Sequence, residues 1–272
     1  MLKVRIMTVA VVLPLLLAAM FLLPNVWWNI ALVAPLLIAG HEWARLADFG
    51  RGAEAAFLTA LLTGCLMLWL IAVPAAQRPG NAAAAPERAV FAVAVAFWCV
   101  IAPCWLWLKI VVRQRLALAV VGLMVLLPTW LALARLQRDA WLLLELLAVI
   151  WIADSAAYFA GRALGRRKLA PAISPGKTQE GVGGAFAAVI VYALAVHFSL
   201  FLTRDLPTVI GGFVAMVALG TVGDLFESWL KRGAGVKDSG GIFPGHGGML
   251  DRIDSLTAAL PLAALVFAWT SA

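Results

Sequence analysis

Long apolar runs separated by short polar segments dominate the chain. Nine of these runs are long enough, or nearly so, to cross about 30 Å of hydrocarbon as helices. They cover Ile6–Leu23, Val26–Gly40, Ala55–Ala76, Ala89–Leu108, Leu116–Ala134, Ala140–Ala160, Val182–Leu202, Leu206–Leu230 and Met249–Thr270. The pattern predicts an all-α, polytopic helical membrane protein with about nine transmembrane helices. Val26–Gly40 is short for a full crossing, and a re-entrant segment is the alternative there.

The composition supports a membrane protein and excludes an ordinary soluble domain. The chain of 272 residues is 64% hydrophobic and only 13% charged. Its net charge of +7 is carried in short loops rather than in basic stripes with interleaved aromatic residues, so we expect no nucleic-acid partner. We predict a single integral membrane domain over residues 1–272. Residues 1–139 hold few chemical motifs, and residues 140–272 hold the predicted catalytic helices and loops.

The distribution of positive charge predicts the orientation. With the N-terminus in the cytoplasm, most of the 21 Lys and Arg residues fall in cytoplasmic segments, as the positive-inside rule requires. Nine crossings then place the C-terminus outside. The same orientation places the polar segment between the last two helices on the cytoplasmic side, where nucleotides are available.

Carboxylates cluster near the ends of the last two predicted helices. Four polar residues share one face of the eighth helix: Asp224, Glu227, Ser228 and Lys231. Asp251 and Asp254 share a face at the start of the ninth helix, so side-by-side packing would bring three aspartates to one depth. Such carboxylates repel one another in a low dielectric unless a cation lies between them, and oxygen ligands favour Mg²⁺. We predict a Mg²⁺ site formed by Asp224, Asp251 and Asp254.

The segment 233–248, between these helices, is suited to binding an anion. It is rich in glycine, which lets backbone N–H groups approach phosphate closely. Three cations lie beside or within it: Lys231, Arg232 and Lys237. This much positive charge suits a triphosphate or a departing pyrophosphate. Metal, cations and a glycine-rich loop together are typical of phosphoryl or nucleotidyl transfer.

Further candidates lie upstream. Asp154 is about two turns from the cytoplasmic end of its apolar run, where an ionisable side chain needs a polar interior, and we expect Asp154 and Glu227 to face a polar cavity. In the following loop, Ser174 or Thr178 can cap the next helix. Lys177 lies near the N-terminus of that helix, where backbone N–H groups attract phosphate.

Two other features carry less chemistry. The Gly-Lys-Thr at 176–178 is found in phosphate-binding loops of soluble NTPases, but Pro171 stands where that motif needs its first glycine and no strand precedes it, so this assignment is rejected. Polar residues at helical spacings follow the second apolar run: His41, Glu42, Arg45 and Asp48. They are interpreted as a solvated or interfacial turn.

The segment Ser228–Asp254 resembles the signature of the bacterial phosphatidate cytidylyltransferase (CDP-diacylglycerol synthase) family. It reads Ser-x-apolar-Lys-Arg-x4-Lys-Asp-x-Gly-x2-Phe-Pro-x-His-Gly-Gly-apolar-x-Asp-Arg-apolar-Asp. The segments 154–162 and 174–181 also resemble the family, although Gly176 stands where a second Lys is expected. The resemblance is good over residues 150–270, whereas the N-terminal half matches only in hydrophobicity.

The resemblance implies transfer of CMP from CTP to phosphatidic acid, giving CDP-diacylglycerol and pyrophosphate. It also implies a bacterial cytoplasmic (inner) membrane location among membrane lipids, Mg²⁺ with or without a second, monovalent cation, and a homodimer. Asp224, Asp251 and Asp254 would bind metal, with Ser228 nearby. Four cations would contact nucleotide phosphates: Lys231, Arg232, Lys237 and Arg252.

Two residues of the signature keep alternative roles. His246 either contacts phosphate or base, or only shapes the turn. Asp238 either accepts from the cytosine amino group or forms a structural salt bridge.

The lipid phosphate would be the nucleophile, and since its second pKa is about 6 it is largely a dianion at neutral pH. A general base is then dispensable, and in-line attack on the α-phosphorus needs mainly charge neutralisation. One competing hypothesis is another CTP-using lipid transferase or a polyprenol kinase. Another is an ion-coupled transporter in which Asp154 and Asp224 are the coupling carboxylates.

Overall fold

The computed structural model of the chain describes residues 2–76, 85–198, 205–245 and 247–268. The helices are α1 (Leu2–Leu22), α2 (Asn25–Ala31), α3 (Val33–Leu46), α4 (Arg51–Ala76), α5 (Ala85–Ala96), α6 (Ala102–Trp107), α7 (Arg115–Leu136), α8 (Ala140–Leu164), α9 (Gln179–Phe198), α10 (Leu206–Gly233) and α11 (Leu250–Phe267). A π-helical turn, Phe97–Ile101, joins α5 to α6. Strands β1 (Lys168–Ala170) and β2 (Ser174–Thr178) lie between α8 and α9.

The helices confirm the prediction of a largely helical membrane protein. Six helical segments of the described chain are long and apolar enough to cross a membrane: Arg51–Ile71, Ala85–Trp107, Arg115–Leu136, Ala140–Leu164, Gln179–Phe198 and Leu206–Gly233. Met7–Leu22 in α1 is a shorter apolar helix. A topology of nine crossings stays a prediction.

Hydrogen bonds between helix ends and loops define two ends of the bundle. At one end, which we call the signature end, Trp229 on α10 donates from Nε1 to the Ile110 carbonyl at 3.0 Å. There Arg232 also donates to the Ile173 carbonyl at 3.3 Å. At the opposite end, Asn25 donates to Gln137 Oε1 at 2.7 Å. The polar segments that the charge distribution assigns to the cytoplasm thus lie together at the signature end.

The segment Val26–Gly40 forms two short helices that run between the two ends of the bundle. α2 begins beside Gln137 at the opposite end, and α3 carries Glu42 to a 2.9 Å hydrogen bond with the Met249 amide at the signature end. The two helices are separated only by Leu32, which keeps helical backbone angles. Together α2 and α3 therefore traverse the bundle from end to end.

The prediction of an all-α fold is incomplete, because β1 and β2 form an antiparallel pair. Lys168 is paired with Thr178 and Ala170 with Ser174. Pro171 and Pro175 disfavour a helix in this segment, and a short hairpin satisfies its backbone groups instead. The hairpin delivers Thr178 to the start of α9, where its Oγ1 accepts from the Gly181 amide at 3.1 Å. The predicted cap by Thr178 is thereby confirmed.

Close packing of α10 against α11 positions the signature residues. A Cβ on Gly223 would lie 2.6 Å from the Asp254 carbonyl oxygen and 3.1 Å from the Ala258 Cβ, so only glycine permits this approach. On another side of α10, the buried Phe226 makes edge-to-face contacts with Trp98 and Trp105, at centroid separations of 5.5 and 5.4 Å. These contacts hold α10 against α11 on one side and against the π-helical turn and α6 on another.

Candidate active site

Polar residues one helical turn apart contact each other along α10. The Ser228 hydroxyl donates to Asp224 Oδ1 at 3.3 Å. One turn further, Lys231 Nζ lies 3.4 Å from Glu227 Oε1. Glu227, Ser228 and Lys231 are all at least nine-tenths buried. The face predicted from the spacing therefore points into the protein at the signature end.

Asp251 is held by donors from the protein itself. Its Oδ1 accepts from Lys231 Nζ at 2.5 Å. Its Oδ2 accepts from the Ser239 amide at 2.9 Å, from the Ser239 hydroxyl at 3.1 Å and from the Gly248 amide at 2.8 Å. This carboxylate thus fixes the segment of residues 234–249 between α10 and α11, which we call the signature loop.

A different set of aspartates converges around Lys177. Lys177 Nζ is ion-paired with Asp224. Asp254 lies within electrostatic range of Asp224, Asp154 and Lys177. The structure therefore groups Asp154 with Asp224 and Asp254. Asp251 belongs to the neighbouring group around Lys231, and Asp254 lies within electrostatic range of that group as well.

The Lys177 group opens into a cavity of about 510 Å³ between α8, β2, α9 and α10. Its polar lining includes Asp154, Lys177, Asp224 and Arg162, and its walls include Ile150 and Val217. A volume of this size falls in the range of small-molecule sites, which combine mostly apolar walls with a few converging polar groups. Asp154 thus lines a cavity, as the sequence predicts, although the cavity walls are mostly apolar. Glu227, which the sequence predicts to face the same cavity, is not part of its lining.

A larger cavity of about 940 Å³ lies on another side of α10. Its polar lining is mainly arginine: Arg45, Arg113, Arg115 and Arg232. Arg232 is engaged there with the protein backbone, donating to the Val236 carbonyl at 3.0 Å. This cavity lacks the clustered carboxylates of the smaller one, and the candidate active site is therefore the cavity around Lys177 and Asp224.

Other residues that were predicted to contact the nucleotide lie near the surface. Lys237 and Asp238 are exposed in the signature loop. Arg252 is exposed on the first turn of α11 and lies within electrostatic range of Asp154. His246 lies outside the described residues. The roles predicted for these four side chains stay predictions.

Charge and donor type at the site fit a divalent cation. Two lysines, Lys177 and Lys231, lie among more carboxylates than they can neutralise. The carboxylates near them are those of Asp154, Asp224, Glu227, Asp251 and Asp254. Both Glu227 carboxylate oxygens are buried and have no hydrogen-bond partner among the described residues. Within that part of the chain, no three His, Cys, Asp or Glu side chains are grouped closely enough to hold a metal ion. The excess of negative charge suits a cation, but the described carboxylates are not gathered into a metal cage.

Sequence reasoning missed one contributor to this region, and the interpretation of Glu42 as part of a solvated turn is wrong. Glu42 is only 3% exposed. Its carboxylate accepts from the Ser239 hydroxyl and from the Met249 and Leu250 amides at 2.8 to 2.9 Å. Its neighbour His41 is exposed and pairs with Glu54 at 2.5 Å. The only local signal was a carboxylate at the end of an apolar run.

A model of the cytidylyltransferase family matches residues 3–270. The chain belongs to the cytidylyltransferase family. It is 38% identical to the phosphatidate cytidylyltransferase of Pseudomonas aeruginosa over 98% of each chain, and 35% identical to that of Haemophilus influenzae over 96% of each. A third phosphatidate cytidylyltransferase, from Bacillus subtilis, is 48% identical over 42% of each chain.

The family match has two consequences. It identifies the chain as a nucleotidyltransferase, so the transporter hypothesis is set aside. It also extends through the N-terminal half, where the sequence motifs gave no resemblance beyond hydrophobicity.

Proposed function

We propose that the chain transfers CMP from CTP to phosphatidate, giving CDP-diacylglycerol and pyrophosphate. Two relatives that align with nearly the whole chain carry the name phosphatidate cytidylyltransferase. The structural observation that carries the proposal is the cavity between apolar helices in which Lys177, Asp224 and Asp154 converge. Such a cavity can admit a lipid phosphate from the membrane and a nucleotide from the aqueous side.

The chemistry requires charge neutralisation more than proton transfer. Phosphatidate carries a phosphate monoester, largely a dianion at neutral pH because its second pKa is about 6. One of its oxygens forms a bond to the α-phosphorus of CTP, while the bond from that phosphorus to the bridging oxygen breaks and pyrophosphate leaves with the electron pair. Because both reactants are polyanions, positioned cations make the approach possible.

Lys177 and Lys231 are the cations best placed for this task. Lys177 faces the cavity from the end of β2, beside the N-terminus of α9, where helix N–H groups also favour phosphate. Lys231 is buried between Glu227 and Asp251, which fixes its ammonium group. Around them we propose nucleotide contacts from side chains of the signature segment: Ser228, Arg232, Lys237, Asp238, His246 and Arg252.

We propose that Asp224 and Asp254 hold Mg²⁺, with the buried Glu227 carboxylate, which is ion-paired with Lys231, beside them. When bound, Mg²⁺ would polarise phosphate oxygens and offset the charge of the departing pyrophosphate. Asp251, whose oxygens already accept four hydrogen bonds, orients Lys231 and the signature loop. Its predicted role as a direct metal ligand, and a second, monovalent cation, stay predictions.

The proposed setting is the cytoplasmic membrane of a bacterium, with the signature end facing the cytoplasm. There the lipid phosphate reaches the cavity at the interface while its acyl chains remain among the membrane lipids. A homodimer stays a prediction from the family resemblance.

The test uses the purified full-length chain in detergent with phosphatidate, Mg²⁺ and CTP labelled at either the α- or the γ-phosphorus. Cytidylyl transfer places the α-label in the lipid and releases the γ-label as pyrophosphate, and EDTA stops both. A lipid kinase would instead transfer the γ-label to a lipid acceptor, so parallel reactions contain polyprenol or diacylglycerol in place of phosphatidate. γ-Labelled lipid, or no lipid-dependent turnover by folded protein, would overturn the proposal.

A further inference from the structure

Glu42 connects the N-terminal half of the chain to the signature loop. It lies on α3, is 3% exposed, and precedes its hydrogen-bond partners by about two hundred residues of sequence. Its Oε2 accepts from the Ser239 hydroxyl and the Leu250 amide, both at 2.8 Å. Its Oε1 accepts from the Met249 amide at 2.9 Å. A single buried carboxylate is therefore bonded to the signature loop at Ser239, to its last residue, Met249, and to the first residue of α11, Leu250.

The contacts of Glu42 at α11 satisfy groups that a helix leaves free. The first N–H groups of a helix have no acceptor within it, and a negative charge there is favoured by the helix dipole. α11 has no side-chain cap of its own at Met249. Glu42 supplies that acceptor from another helix and so fixes where α11 begins.

The glycines of the signature loop make this approach possible. A Cβ on Gly240 or on Gly248 would overlap the Glu42 carboxylate. The same loop backbone also carries the Ser239 and Gly248 amides that hold Asp251. Glycine at these positions thus serves the contact with Glu42 as well as any anion bound by the loop.

The contact continues from Glu42 to the candidate site. The Ser239 hydroxyl lies 2.8 Å from Glu42 and 3.1 Å from Asp251, so its one proton is shared between the two carboxylates. Asp251 in turn accepts from Lys231 at 2.5 Å. A displacement of the loop at Glu42 would therefore withdraw the Ser239 and Gly248 donors from Asp251 and disturb the contact of Asp251 with Lys231.

We infer that Glu42 is a positioning residue, which fixes the signature loop and the start of α11 and thereby places Lys231 and Asp251 for nucleotidyl transfer. Glu42 is not among the residues that line the cavity around Lys177. The effect on turnover rests on the proposed function, whereas the effect on the loop does not.

The first experiment follows amide hydrogen exchange in the full-length protein in detergent, without substrates. We expect the Met249 and Leu250 amides to be protected in the unmodified protein, because Glu42 accepts from both. In Glu42→Gln they should exchange at least tenfold faster, while peptides from α8 and α9 keep their rates. Unprotected amides at 249–250 in the unmodified protein would overturn the inference, even if no variant can be purified.

The second experiment measures turnover of the same variants. We expect Glu42→Gln to lower kcat at least tenfold and Glu42→Asp, which keeps the charge, to recover part of the loss. The matched control is Glu54→Gln, which removes the charge that pairs with the neighbouring His41; among the described residues, Glu54 has no hydrogen bond to the signature loop. A purely structural role would lower the amount of folded protein and leave the kcat of what folds unchanged.

Failure of this inference and failure of the proposed function are distinguishable. Protein with a protected loop and no cytidylyl transfer would contradict the function but leave the contact of Glu42 intact. If Glu42→Gln does not fold, Ser239→Ala can be measured in its place, because it removes the hydroxyl that donates to Glu42. If Glu42→Gln has a kcat within twofold of that of the unmodified protein and unchanged amide exchange at 239–250, Glu42 is not a positioning residue.

Discussion

Individual side chains at the candidate site divide into two groups with different roles. Asp154, Asp224 and Lys177 line the cavity, and Asp254 lies within electrostatic range of all three. Lys231, Glu227 and Asp251 form a buried group behind the signature loop. Substitutions in the first group should affect chemistry alone, and those in the second should also affect stability.

Asp224→Asn tests the first group. The change keeps the side-chain volume but removes the charge that pairs with Lys177 and, as proposed, binds Mg²⁺. We expect turnover to fall by about a hundredfold to a thousandfold, as is typical for loss of a group that stabilises charge in the transition state. Release of pyrophosphate with CTP and phosphatidate is the measurement.

The control for this substitution lies on the same helix. Asp205 caps the start of α10, where its carboxylate accepts from the Thr208 amide at 3.1 Å. Asparagine caps helices about as well as aspartate, so Asp205→Asn should keep both turnover and stability. Near-normal turnover in Asp224→Asn would contradict the assignment of Asp224 to the site.

Lys231→Met tests the second group. It leaves the Glu227 and Asp251 carboxylates buried without their shared cation; their side chains are 7% and 6% exposed. Breaking a buried ion pair in this way costs about 3 kcal/mol or more, so we expect a clearly lower melting temperature in detergent as well as lost turnover. Lys177→Met should lose turnover with a smaller change in melting temperature, because the Lys177 side chain is 26% exposed. Equal melting temperatures for the two variants would contradict the division into groups.

At the scale of elements, the contact between α10 and α11 decides whether Asp224 and Asp254 stay together. Gly223→Ala would place a Cβ 2.6 Å from the Asp254 carbonyl oxygen, a backbone atom that cannot rotate away. We expect the helices to separate slightly and turnover to fall at least tenfold, with a stability cost of about 1 to 3 kcal/mol. Gly211→Ala on the same helix meets nothing within 4 Å and should change neither quantity by much. Equal behaviour of the two variants would show that this contact does not position Asp254.

Local periodicity predicted the elements better than it predicted the site. The spacing of Asp224, Ser228 and Lys231 defines one face of α10 whatever the surrounding fold, because it depends only on the helical repeat. The grouping of Asp154 with Asp224 depends on how α8 packs against α10, which no local pattern encodes. The sequence predicted that Asp251 would converge with the other two signature aspartates. It did not reveal that the signature loop bends back, so that the Ser239 and Gly248 amides donate to Asp251.

Glu42 shows the same limit more clearly. Its partners Ser239 and Leu250 are 197 and 208 residues away in sequence, and nothing near Glu42 distinguishes it from a surface carboxylate. Likewise the β1–β2 hairpin depends on pairing across a proline-containing turn rather than on hydrophobic alternation. In each case, tertiary packing supplied the contact that a single sequence leaves undetermined.

At the scale of the whole molecule, the two ends of the bundle carry different charge. The signature end contains the hairpin with Lys168 and the larger cavity with its arginines. At the opposite end, Arg135 lies 3.7 Å from Glu87 and donates to the Ala268 carbonyl at 3.3 Å. By the positive-inside rule, we expect the signature end to face the cytoplasm.

Single-cysteine labelling tests this orientation. In a variant in which the cysteines at 65, 99 and 104 are replaced by serine, Lys168→Cys marks the signature end and Arg138→Cys the opposite end; both positions are exposed. In intact spheroplasts, a membrane-impermeant maleimide should label Arg138→Cys at once and Lys168→Cys only after the membrane is permeabilised. The opposite pattern would place the candidate site on the side of the membrane that lacks CTP. It would thereby contradict the proposed function, since no rearrangement of side chains can supply the nucleotide across a bilayer.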